Sequence, residues 1–233
     1  MTRTKQTGAG TEGLLAFVRE GLIERAVPEN APAMAAYMKS DTPMLGVSSP
    51  DLRAIAKDAA RRFPATTRAD YERNVLALWR LPHREEKRVA IAVARHYRAF
   101  VTAESLGLYE RLVREGAWWD YVDEIAVHLV GEALLKDSDA AWPVIDGWID
   151  DDSMWVRRTA ILCQNRHQQR TDEARLFDYC LRRADEREFF IRKAIGWALR
   201  QYACTAPDAV RSFINAHSAE LSPLSVREAA KHL

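Results

Sequence analysis

Val156-Arg157-Arg158-Thr159-Ala160 returns as Ile191-Arg192-Lys193-Ala194-Ile195 and again as Val226-Arg227-Glu228-Ala229-Ala230. The copies open at residues 156, 191 and 226, a spacing of 35 each time. Upstream, Trp119 lies 36 residues before Trp155, and Lys87-Arg88-Val89-Ala90-Ile91 fits the same register, so at least five units can be laid out. A period in the mid-thirties to forties with two helices per unit marks an α-solenoid, in which each unit buries its apolar face only against its neighbours. The alternative is a helical bundle with a chance period. Agreement of three registers favours the solenoid, in which equivalent helices line one concave wall.

The rest of the chain supports an all-α fold. Apolar residues recur at helical spacing and no alternating strand pattern has any length. Helices are predicted over 14–26, 31–40, 49–63, 68–81, 85–97, 106–115, 120–135 and 141–150. Later ones cover 154–168, 173–184, 188–205 and 206–217, and a last one opens near Ser222. Ser49-Pro50 and Ser222-Pro223 each place a capping hydroxyl before a first-turn proline, and Thr171-Asp172-Glu173 opens another helix. Residues 1–12 are small and polar and read as a flexible lead-in; residues 13–233 read as one repeat domain.

Composition sets limits. The 233 residues are 48% hydrophobic and 29% charged, as in a soluble globular protein. No apolar run approaches a membrane span and the N-terminus lacks the core of a signal peptide, so a cytoplasmic protein is expected. Cys163, Cys180 and Cys204 are spaced for neither a disulfide framework nor a zinc site. The net charge of +1 is unevenly spread. Residues 101–153 carry 3 basic and 13 acidic residues, whereas 154–200 carry 11 and 6. Such asymmetry fits one surface built to meet an anion.

Trp118-Trp119-Asp120-Tyr121-Val122-Asp123 sets indoles beside carboxylates within about one and a half turns. Trp119 and Asp123, at i and i+4, share a helix face. An unpaired buried carboxylate costs far more than burial of the ring returns, so this pattern builds a poor core but a good cation site. The blander alternative has one Trp packing inward and both Asp residues in solvent. Aligning the repeats places Trp119 and Asp123 on one unit, Arg158 on the next, and Trp197 and Arg200 on the one after. Gly196, inside that last helix, costs up to about 1 kcal/mol and points to close approach of a backbone or a ligand. Three other features have simpler uses. His128 near Glu124 lacks a third metal ligand and reads as a surface histidine. Asp150-Asp151-Asp152 suits a helix start, and Trp79, Trp142 and Trp148 read as packing residues.

Four segments, Met34-Ala35-Ala36-Tyr37-Met38-Lys39, Trp118 to Asp123, Trp155 to Leu162 and Lys193 to Arg200, together resemble the bacterial DNA alkylation repair glycosylases of the AlkD type. The likeness runs from about Glu24 to His232. It implies a right-handed superhelix of HEAT-like repeats whose basic concave surface holds duplex DNA; a lone superhelix with DNA on one wall works as a monomer, which is the expected state. The likeness also implies excision of positively charged N3- and N7-alkylated purines without metal or cofactor. By position, Trp119, Asp123 and Trp197 match residues lining the lesion cleft, with Asp123 as the catalytic carboxylate. Arg158, Arg166 and Arg200 match basic positions facing DNA, and Tyr37 and Ser49 match further contacts. Arg166 and Gln168 stand where a relative carries Lys. A non-catalytic repeat protein binding DNA or a protein partner is the competing expectation, because fold alone does not give chemistry.

Overall fold

The structure is a computed structural model that describes residues 3–233, with the side chains of residues 10–231 and 233. It is helical, and no strand occurs among the described residues. The expected all-α fold is therefore borne out. The chain divides into two compact units, Met1–Val101 and Thr102–Leu233.

The first unit contains α1 (Arg3–Glu24), α2 (Ala31–Met38), α3 (Ser49–Arg62), α4 (Arg68–Trp79) and α5 (Arg84–His96). The lead-in expected over residues 1–12 falls partly on Met1 and Thr2, outside the described residues. From Arg3 the backbone is helical, and Thr11 is buried, donating its hydroxyl to Asn74 Oδ1 at 2.7 Å. Local chemistry sets the other starts. Ser48, one residue before the expected cap, accepts the Asp51 amide, so Ser49 becomes the first helical residue. Thr67 does the same for α4 through Asp70 N at 3.1 Å. Tyr71, Val75, Leu78 and Trp79 follow helical spacing and are all buried.

One buried acid organises the loop between α2 and α3. Glu85 Oε1 accepts the backbone N–H groups of Leu45 (2.9 Å), Gly46 (2.8 Å) and Val47 (3.3 Å). Gly46 has φ of +80°, and a Cβ there would sit 2.0 Å from Val27 O, so only glycine fits.

The second unit contains α6 (Leu106–Gly116), α7 (Trp119–Ile125), a π turn (Ala126–Val130) and α8 (Gly131–Lys136). It continues through α9 (Ser138–Trp148), α10 (Met154–Leu162), α11 (Glu173–Arg182), α12 (Phe189–Ala203), α13 (Pro207–Ala216) and α14 (Pro223–Ala229). The three copies of the five-residue motif begin within the first turn or so of α10, α12 and α14, the last running to the end of α14, and α12 packs against both of the others. Asp172 caps α11 and Ser222 caps α14, each accepting an amide at 3.0 Å, as their spacing predicts. The Asp150–Asp152 run is covered by arginines: Asp150 accepts from Arg182 and Arg183, and Asp151 from Arg114. Trp79 and Trp148 are buried, as expected of packing residues. No helix among the described residues is long and apolar enough to cross a membrane.

Candidate active site

Asp123 stands on the last turns of α7, where the helix widens. Gly131 N donates to Ala126 O, an i to i+5 bond that makes residues 126–130 a π turn. Such turns re-aim the side chains around them and recur at functional sites. The far end of this turn is clamped to the end of α10. A Cβ at Gly131 would lie 2.5 Å from Cys163 O, and buried His167 donates its Nε2–H to Gly131 O at 3.0 Å. Burial holds the His167 pKa below its ordinary range, against the bond to Gly131 O, which raises it.

That clamp brings α7 against α10 and joins Asp123 to Arg158. Arg158 donates Nε–H to Asp123 Oδ1 at 2.7 Å and Nη2–H to Oδ2 at 2.8 Å, a two-point fork. Its third edge, Nη1–H, reaches Phe190 O, and the guanidinium lies 5.9 Å from the Phe190 ring centre. With only 5% of the residue exposed, Arg158 is an internal partner of the carboxylate. These bonds use one N–H of each guanidinium nitrogen and leave the second N–H of Nη1 and of Nη2 outside the fork. Behind it, Trp118, Trp155 and Phe190 pack together, with ring centres 4.9 to 6.0 Å apart. Trp118 thus packs into this cluster and, like Trp119, is half-buried.

Asp123 itself keeps 18% of its side chain exposed, toward a cleft of about 360 Å³. Glu124, Val127, His128, Asn165, Arg166, Trp197 and Gln201 complete the walls. Burial holds the Asp123 carboxyl above the usual carboxylate range; Arg158 opposes this and the neighbouring Glu124 charge adds to it. The result is a carboxylate held in a poorly solvated wall and fixed in direction, suited to meeting positive charge at close range.

The other expected site residues divide by place. Trp197 shares the cleft with Asp123. Trp119, one turn earlier on α7, is half-buried and is not among the residues lining that cleft. Arg166 is exposed on the rim, its Nη1 3.3 Å from His128 Nδ1. His128 Nε2 lies 3.8 Å from Glu124 Oε2. Arg200 is half-buried and donates to Glu228 Oε2 at 3.1 Å. In the other unit, Tyr37 is 75% exposed on α2, and Ser49 Oγ accepts from Arg88 at 3.2 Å. Sequence reasoning missed Asn165 and Gln201 as cleft residues. It also missed the pairing of Asp123 with Arg158, although the two lie one 35-residue period apart.

Residues 18–233 match the family model described as DNA alkylation repair enzyme. Among solved structures the chain is similar to one described as a predicted DNA alkylation repair enzyme from Enterococcus faecalis. The two are 28% identical over 90% of this chain and 97% of that one, with a TM-score of 0.83. No curated protein matches the chain.

Proposed function

The chain belongs to the DNA alkylation repair enzyme family, and from that premise we propose that it is a DNA glycosylase hydrolysing the N-glycosidic bond of positively charged N3- and N7-alkylated purines in duplex DNA. The observation that carries this is Asp123: a carboxylate held by a buried arginine and opening on a cleft beside the Trp197 indole.

Alkylation at N3 or N7 gives the purine a formal positive charge. When the bond from C1′ to the base breaks, both electrons leave with the base, which departs neutral, so no general acid is required. The sugar becomes oxocarbenium-like, as in glycoside hydrolysis, and this cation is what needs help. Asp123 stabilises it through space or positions the water that adds at C1′, and the proton of that water passes to solvent. The face of Trp197 adds cation–π stabilisation of about 0.5 to 2 kcal/mol. Trp119, one turn before the carboxylate on α7, offers a second indole face to the deoxyribose.

Arg166 on the rim and Arg200 on α12 supply phosphate contacts, and Tyr37 and Ser49 are proposed as further DNA contacts in their own right. Binding through phosphates is independent of sequence and weakens with salt. The test is release of base from duplex DNA containing N7-methylguanine, without added metal, by the parent and by Asp123→Asn. The expected loss in the variant is about 10²- to 10³-fold, the effect of removing one preorganised electrostatic group. Absence of release by the parent, with salt-sensitive DNA binding retained, would point instead to a non-catalytic DNA-binding repeat protein.

A further inference from the structure

The spacing of 35 residues that joins Asp123 to Arg158 recurs at Lys193 and Glu228. At this second pair the charges are reversed along the chain, and two more cations join. Glu228 Oε1 lies 3.0 Å from Lys193 Nζ. Its Oε2 lies 3.1 Å from Arg200 Nη1, and Lys231 Nζ is 2.9 Å from both oxygens. The carboxylate is buried, with 8% of its side chain exposed. It is held there by backbone: a Cβ on Gly196 would lie 2.5 Å from Glu228 Cβ and 2.8 Å from Ser225 O. Ser225 also donates its hydroxyl to Arg192 O at 2.9 Å, tying α14 to α12.

We propose that Glu228 is a positioning residue that gathers Lys193, Arg200 and Lys231 into a phosphodiester-binding site on α12, α14 and the turn after it, outside the Asp123 cleft. This rests on the protein being a DNA-binding repair enzyme.

Charge and donor counts support a ligand. One carboxylate needs one cation to be neutralised, yet three surround it, leaving two positive charges. Lys193 and Lys231 are 36% and 48% exposed at the side chain, and each ammonium has three donors. Arg200 spends only Nη1 on Glu228 and keeps its other side-chain donors. No other carboxylate among the described residues pairs with any of the three. Lys193 and Arg200 lie two turns apart on one face of α12, so the cations present a row to a charged backbone. Glu228 stays ionised well into acid, its carboxyl lowered to about 2 mainly by the hydrogen bonds from Lys231 and Lys193.

The experiment is binding of undamaged duplex DNA by the full chain, followed by fluorescence anisotropy over a series of KCl concentrations. Lys193→Ala and Lys231→Ala are each expected to weaken binding and to lower the slope of log affinity on log salt by about 0.9, the value for one phosphate contact. Glu228→Gln removes a negative charge, so simple electrostatics would raise affinity. Loss of positioning is instead expected to weaken binding about tenfold, as for one charge-assisted contact. Unchanged slopes in both lysine variants, or an affinity for Glu228→Gln at or above the parent's, overturns the proposal. If Glu228→Gln does not fold, the lysine slopes decide alone. Base release by the parent from N7-methylguanine DNA is followed in parallel. Absence of release with the expected slopes sinks the glycosylase and leaves the site standing, whereas absence of DNA binding overturns both.

Discussion

Replacing Arg158 with methionine removes both hydrogen bonds to Asp123 while keeping much of the side chain's apolar bulk in a site where Arg158 is only 5% exposed. Two charge-assisted bonds at about 1.5 kcal/mol each favour the ionised carboxylate by about 3 kcal/mol. That energy corresponds to about a hundredfold in the ratio of carboxylate to carboxylic acid at a given pH. Burial already holds the Asp123 carboxyl above its ordinary range, with Arg158 opposing the rise, so loss of the arginine raises it further. Base release, which needs the ionised form, should therefore fail at a higher pH in Arg158→Met than in the parent as the solution is acidified. The sign for stability is opposite. A carboxyl whose folded value lies above its unfolded value takes up its proton more readily when folded; the resulting stabilisation is present in acid and is lost as pH rises through the folded value. At neutral pH the variant leaves a buried charge unpaired, at a cost of about 3 to 5 kcal/mol, part of which returns on mild acidification. Single-turnover base release and thermal unfolding, both taken from pH 5 to 8, read the two effects. Arg158→Lys restores charge without the fork and should fall between. A folded Arg158→Met whose acid limb coincides with the parent's would refute the coupling of Arg158 to Asp123.

Three further outcomes follow from particular contacts. Trp197→Ala should slow base release about 2- to 30-fold, from about 0.5 to 2 kcal/mol of cation–π stabilisation, with little change in thermal midpoint, because the ring lines the cleft and is not fully buried. Gly196→Ala should destabilise by about 1 to 3 kcal/mol in urea denaturation, since its new methyl meets Ser225 O and Glu228 Cβ inside 3 Å; unaltered stability would mean that α12 and α14 are not so close. Glu228 contributes stability above its unfolded value of 4.5 that is lost as pH falls toward about 2. Glu228→Gln should therefore flatten the loss of stability across that interval, and parallel acid titrations of parent and variant would count against the ion network.

What could be read along the chain is whatever repeats or acts locally. The 35-residue period identified the units of the second half, because each copy faces the same packing problem and solves it with the same pattern. Caps at Asp172 and Ser222 are decided by an oxygen and an amide three residues apart. The pairing of an indole with a carboxylate before Asp123 was likewise visible as an unusual core. Depth and partnership were not. Arg158 looks like any other arginine in a basic stretch, and only the packing of α7 on α10 turns it inward onto Asp123. Of the two indoles expected near Asp123, Trp197 lines the cleft from α12, and Trp119 lies one turn before the carboxylate on α7, as the i, i+4 spacing gives. Gly196 pointed to close approach, and the structure identifies what approaches as α14. Spacing along a helix depends on its own backbone, whereas burial and the choice of ion partner depend on which other helix arrives against it, and that is determined only when distant segments meet.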